Sequence, residues 1–198
     1  MQAQSKAEAL ARGRAINIRN RITAIICGCV PAALLAWQSR PTVGMWLAGL
    51  VAGLVWANGF EYAFHRWLLH LPDSYTGKGH LLHHASLGLA EEPLYVNLGG
   101  RPLWIVAMFV SNGIPVVAAD YALGWGVAPG MLVMFSVYFV ATEEIHWRFH
   151  LGGWLPRWLQ PARERHFVHH ERPDGSFNIF LPVFDRLVGS AKDTRLLK

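Results

Sequence analysis

Charge is scarce in this 198-residue chain: Asp, Glu, Lys and Arg make up 16% of it, against about 25% in average soluble proteins. So few charges cannot cover an ordinary water-facing surface. Cysteine is nearly absent. The two present, Cys27 and Cys29, stand one residue apart in an apolar run, a spacing that suits neither a disulfide framework nor a metal motif. They read as membrane-buried thiols. Disorder is excluded from the other side, because 53% of the chain is hydrophobic and 12% aromatic. Lys and Arg outnumber Asp and Glu by 18 to 13, yet no nucleic-acid motif accompanies the excess, and nucleic acid is not an expected partner.

The few charges are placed unevenly. Charge-free runs occupy residues 22–39, 41–60, 102–119 and 121–142. A helix crossing the hydrocarbon core needs about 20 mostly apolar residues, so the four runs predict four spans. They predict two hairpins, turning near Arg40-Pro41 and between Asp120 and Gly130. A soluble bundle would show polar helix faces, and these runs show almost none. Seventeen of the 18 Lys and Arg residues lie before residue 22, between 61 and 101, or after 143; Arg40 alone falls on the other side. The positive-inside rule then puts both termini and the middle segment in the cytoplasm. The expected location is a cell membrane of the bacterial inner type. Residues 1–21 read as a basic cytoplasmic arm, too polar for a cleaved signal peptide, and 22–198 as the membrane domain.

Every histidine falls in one of two short windows. His65, His70, His80, His83 and His84 occupy the first; His146, His150, His166, His169 and His170 occupy the second. Each window follows one predicted hairpin and holds a sparse pair and then a dense triplet, so the chain reads as two halves of similar plan. Residues three and four apart share a helical face. Each triplet is therefore expected to converge, and His146 should align with His150. His65 and His70 would be about 140° apart on a regular helix; either they serve different metals or the helix end unwinds. Neutral imidazole is the commonest metal ligand, and one metal uses four to six ligands. Ten imidazoles thus fit two metals with about five each, in a nitrogen-rich setting suited to iron, zinc or copper.

These residues resemble the histidine boxes of the fatty acid hydroxylase and sterol desaturase superfamily of integral membrane proteins. The boxes here are Glu61-Tyr-Ala-Phe-His65-Arg66-Trp-Leu-Leu-His70, His80-Leu-Leu-His83-His84, Glu143-Glu144-Ile-His146-Trp-Arg-Phe-His150 and His166-Phe-Val-His169-His170. Pro173, Asn178, Pro182, Asp185, Arg186 and Gly189 follow, similar to the family's C-terminal signature. The likeness spans roughly residues 43–190. The short interval from His70 to His80 is nearer to the sterol desaturase pattern. The resemblance implies an all-α membrane protein whose cytoplasmic histidine-rich cap holds a dimetal site. It implies two iron ions, all ten histidines as candidate ligands, and O2-dependent hydroxylation or desaturation of a fatty acyl chain, sterol or carotenoid. Zinc is expected to replace iron readily in purified samples. No heme-binding or iron–sulfur segment is apparent, so electrons are expected from a separate donor, a ferredoxin or a cytochrome b5-like protein.

Neutral ligands leave metal charge uncompensated, so carboxylates that orient imidazoles through their second nitrogen matter. Glu61 and Glu144 are the first candidates, followed by Glu143, Glu171 and Asp174. Asp185 and Arg186 are expected to form a structural ion pair. Trp154, Leu155, Trp158 and Leu159 suggest one apolar face of a short interfacial helix, either a substrate gate or a connector. Residues 85–100 read as a loop over the metals. The competing reading is a membrane metal-binding or transport protein, which would want polar ligands within the spans. A bis-histidine heme protein suits the doubled histidines poorly.

Overall fold

In the computed structural model, residues 5–98 and 101–192 are described. Residues 1–4 of the basic arm, the last two of the 85–100 segment, and Asp193, Arg195 and Lys198 of the charge count lie outside them. The described chain is helical throughout. Helix α1 (Lys6–Ser39) is followed by α2 (Val43–Ala63), a π-helical turn (Phe64–Leu69), α3 (Tyr75–Ala85) and the short α4 (Glu92–Tyr95). Then come α5 (Pro102–Leu123), α6 (Ala128–Leu151), a 3-10 turn (Arg157–Leu159), α7 (Gln160–Glu171) and α8 (Val183–Val188).

The local signals are ordinary. A capping box opens α1: Glu8 N–H donates to Ser5 Oγ at 3.3 Å, and Ser5 N–H donates to Glu8 Oε2 at 3.1 Å. The helix then runs unbroken past residue 21. Prolines stand in the first turns of α4, α5 and α7, where the missing N–H costs nothing. Gly124 closes α5 at φ 66°, the left-handed conformation glycine adopts freely. Four helical segments, Lys6–Ser39, Val43–Leu69, Pro102–Leu123 and Ala128–Leu151, are long and apolar enough to cross a membrane, which points to a multi-pass membrane protein.

The described residues form two compact units, one from 5–17, 58–98 and 142–192, the other from 18–57 and 101–141. The second unit is a packing of apolar helices with large aliphatic and aromatic side chains on its outside, among them Leu34, Val51, Ile114 and Tyr121. Its helices meet through small residues. A Cβ on Gly49 would lie 2.3 Å from the Val127 carbonyl oxygen and 3.0 Å from Gly130 Cα, so α2 and α6 approach backbone to backbone. Close small-residue contacts are the usual basis of helix association in lipid. Buried Ser136 ties α6 to α1 by donating to the Ala24 carbonyl at 2.8 Å.

The first unit holds all ten histidines. Its apolar core is built on Phe149, Leu159, Ala162 and Ile179, with Leu98, Ile145, Leu155 and Phe180 against it. Residues 154–159 therefore do not present one apolar face. Trp154 and Trp158 point outward at 76% and 67% exposure, while Leu159 is buried and Leu155 packs on the core. The expected short helix is only a turn of 3-10 geometry leading into α7, because its leucines are recruited inward.

Candidate metal centre

The histidines gather into two groups of five. One is His65, His70, His80, His84 and His169; the other is His83, His146, His150, His166 and His170. Within each group the ligand-capable atoms lie within 4.8 Å of one another. We call them group A and group B. The triplets do not converge as expected. On a helix, positions three and four apart bracket the starting residue, so positions 83 and 84 are about 100° apart. His80 and His84 stay with group A, and His83 turns to group B. In α7, His166 and His170 stay with group B, and His169 turns to group A. Each half of the chain keeps four imidazoles and gives one to the other.

His65 and His70 share group A because the winding changes between them. Residues 64–69 form a π-helical turn, whose i→i+5 bonding brings residues five apart onto one side. Their rings stack with centroids 5.3 Å apart.

The nitrogen geometry tests whether a metal fits. In group A, His80 Nε2 lies 3.0 Å from both His65 Nε2 and His84 Nε2, and His70 Nε2 lies 3.3 Å from His169 Nε2. In group B, His166 Nε2 is approached by His146 at 3.0 Å, His150 at 2.7 Å and His170 at 3.2 Å. Two nitrogens bound at right angles to one ion at about 2.1 Å are about 3.0 Å apart. Hydrogen bonding cannot account for all of these contacts at once. His65 Nδ1 lies 2.5 Å from the Phe177 carbonyl and His169 Nδ1 2.7 Å from the Gly175 carbonyl. A carbonyl only accepts, so in each neutral ring the proton sits on Nδ1 and Nε2 presents a lone pair. A single proton on His166 Nε2 cannot serve three neighbours. His83 is buried, and neither of its ring nitrogens has a hydrogen-bond partner, an arrangement that is costly unless something else pairs them. Convergent lone pairs of this kind fit a cation in each group.

Burial keeps the rings neutral. Desolvation pushes His84 down to about 4 and His169 down to about 3, and lowers His70, His80, His83, His166 and His170 as well. For His80, His83, His166 and His170, neighbouring imidazoles add to the effect, because a proton on one repels a proton on the next. Neutral imidazole is the metal-binding form.

The Phe177 carbonyl is held by a buried knot, and the Gly175–Ser176 peptide beside it is tied to the Ser190 carbonyl through Ser176 N–H at 2.9 Å. The Asp185 carboxylate accepts from Phe177 N–H at 3.0 Å, Asn178 N–H at 2.7 Å and Ser190 Oγ at 2.8 Å. Asn178 Nδ2 donates to the Asn58 carbonyl at 2.9 Å and to Glu61 Oε2 at 2.8 Å, and Ile179 N–H donates to Glu61 Oε1 at 3.2 Å. The expected Asp185–Arg186 ion pair is not formed: three donors from residues 177, 178 and 190 occupy the carboxylate instead.

The other candidate carboxylates take varied positions. Glu61 secures the segment that carries the Phe177 carbonyl. Glu144 pairs with Arg14 and Arg148, each at 2.8 Å. Glu143 is buried and accepts from Asn17 Nδ2 at 3.2 Å and Leu98 N–H at 3.0 Å. Asp174 is exposed, paired with Lys192 at 2.7 Å, and Glu171 is exposed at the end of α7. The carboxylate seen on a group B imidazole belongs to Glu92, whose Oε1 lies 2.8 Å from His150 Nδ1. Glu92 is not among the carboxylates expected from the sequence. Its one signal was the Glu91-Glu92-Pro93 run in a loop between the two histidine windows.

No curated protein and no solved structure matches the chain. Residues 50–190 match the family model described as fatty acid hydroxylase. That stretch contains all ten histidines, Glu92 and the Asp185 knot. The chain belongs to the fatty acid hydroxylase family, within the fatty acid hydroxylase/sterol desaturase superfamily.

Proposed function

We propose that the protein is a membrane-bound dimetal oxygenase, di-iron in its working form, that hydroxylates or desaturates a C–H bond of a fatty acyl chain, sterol or carotenoid. The observation that carries this reading is the pair of five-imidazole groups with lone pairs turned inward. A bound redox metal pair would supply what side chains lack, the power to reduce O2 and oxidise an unactivated C–H bond. The chain's own part is to hold and to exclude. His65, His70, His80, His84 and His169 would hold one ion, and His83, His146, His150, His166 and His170 the other. Burial keeps the rings outside the spanning helices, those of His70, His80, His83, His84, His166, His169 and His170, unprotonated at neutral pH. Buried Phe149 and Phe177 lie beside the histidine rings, Phe149 with a ring centroid 5.8 Å from His166 and Phe177 with one 5.7 Å from His65. They shield the groups from water, which protects reactive chemistry from side reactions.

In this reading the four apolar helices cross a bilayer as two hairpins, and the histidine-rich cap and both termini face the cytoplasm. The 17-to-1 distribution of Lys and Arg supports that orientation, and a bacterial inner membrane fits it. The basic segment 1–21 is cytoplasmic, and residues 22–198 carry the catalytic domain. Electrons come from a ferredoxin or a cytochrome b5-like donor, and zinc competes with iron for the nitrogen ligands during purification. The test is mass spectrometry of lipids from iron-replete cells producing the wild type or His169→Ala. A lipid heavier by one oxygen or lighter by two hydrogens, present with the wild type and absent with the variant, supports the reading. Identical lipids in the two cultures, with iron and reductant supplied, refute it.

A further inference from the structure

The segment from Ser86 to Leu98, which includes α4, is strapped down rather than loose. Asn97 Nδ2 donates to the Gly13 carbonyl at 3.0 Å, and Leu98 N–H donates to Glu143 Oε1 at 3.0 Å. Gly13 lies so close to the loop that a Cβ there would stand 2.1 Å from the Pro93 carbonyl oxygen. Pro93 is the neighbour of Glu92. The strap buries Glu92 and divides its two oxygens: Oε2 accepts from Gly88 N–H at 3.0 Å, and Oε1 meets His150 Nδ1 at 2.8 Å. His65 and His169, in group A, meet neutral backbone carbonyls at the same ring position.

A carboxylate on the far nitrogen of a ligating imidazole does three things. It fixes the tautomer, orients the ring and makes the ring a stronger donor. A buried anion next to the ligand set also offsets the charge of a divalent cation surrounded by neutral nitrogens. We infer that Glu92 is a positioning residue for group B alone: held by the Gly13 strap, it raises that group's affinity for a divalent metal and leaves group A unchanged. The inference rests on the dimetal reading above and assigns a division of labour within it.

The experiment is a zinc titration of the full chain in detergent against a chromophoric chelator, with helical content followed by circular dichroism. Wild type is expected to take up two ions. Group A is disabled by His80→Ala with His84→Ala, and group B by His146→Ala with His166→Ala. Where only group B remains, Glu92→Gln, which keeps the shape and loses the charge, is expected to weaken zinc binding about 10- to 100-fold. Where only group A remains, the same change is expected to do nothing. Gly13→Ala pushes the strap from a distance and is expected to weaken group B alone, giving a second variant with no contact to a histidine. Equal losses in both backgrounds, or none in the group B background, overturn the inference. Failure of the wild type to take up two ions overturns the dimetal reading instead.

Discussion

Replacing Asp185 by alanine removes the acceptor for Phe177 N–H, Asn178 N–H and Ser190 Oγ in one step. Asp185 is fully buried, so water does not readily take the vacant place. Each abandoned buried donor costs about 1–3 kcal/mol. The serine hydroxyl can rotate to another acceptor, so the two backbone amides dominate, and the expected loss is about 3–5 kcal/mol. For a chain of this size that is a drop of roughly 6–20 °C in melting temperature. The effect should also be selective. The released segment carries the Gly175 and Phe177 carbonyls, which set the tautomers of His169 and His65, both in group A. Zinc affinity of group A should fall more than that of group B. Thermal melting of the metal-free protein, followed by zinc competition on the two single-group backgrounds, measures both parts. An Asp185→Ala protein that melts within about 2 °C of wild type and keeps its group A affinity would refute the reasoning.

Two further outcomes follow from the histidine geometry. His169→Ala should impair group A while His83→Ala impairs group B, the reverse of their places in the two halves of the chain; zinc stoichiometry and affinity in the single-group backgrounds check this. The metal-free protein should lose stability as pH falls. His84 and His169 have folded values of about 4 and about 3, below the unfolded value near 6.5. The unfolded chain therefore gains protons first. The contribution of these rings is fully present above about pH 6.5 and declines between about 6.5 and 4 for His84 and on to about 3 for His169. Melting temperatures recorded from pH 8 to pH 5 should be flat with respect to these groups and then fall. A melting temperature that rises on acidification would contradict the burial of the rings.

Much of the architecture was legible because it depends on where charges are absent. The four charge-free runs mark four long helices, and their turns fall at Arg40–Thr42 and Gly124–Val127. The histidine windows were equally plain. The sharing of ligands between the groups was not, since it depends on which side of α3 and α7 each ring leaves. Residue spacing places His80, His83 and His84 near one another but does not assign the middle ring to a neighbour. The π-helical turn was hidden as well, because the apolar residues Phe64, Trp67, Leu68 and Leu69 suit either winding. Carboxylates close to histidines in sequence point to Glu143 and Glu144, whereas the one on His150 comes from the start of α4, 58 residues earlier. Asp185 was read by its charge and its neighbour Arg186, but backbone amides decided its place.

The trade of His83 for His169 bears on how the protein is made. Neither pocket can be furnished with its five nitrogens by a fragment ending before residue 166. The pocket begun at His65 waits for a ring encoded more than a hundred positions later, and both halves must be in place before either set closes. If the proposed ions bind, one captured early by the emerging chain would find only a partial set, and loading would belong to the finished molecule. The same interdependence gives each group a stake in both halves, so disrupting the nitrogen set of either group should loosen α3 and α7 together.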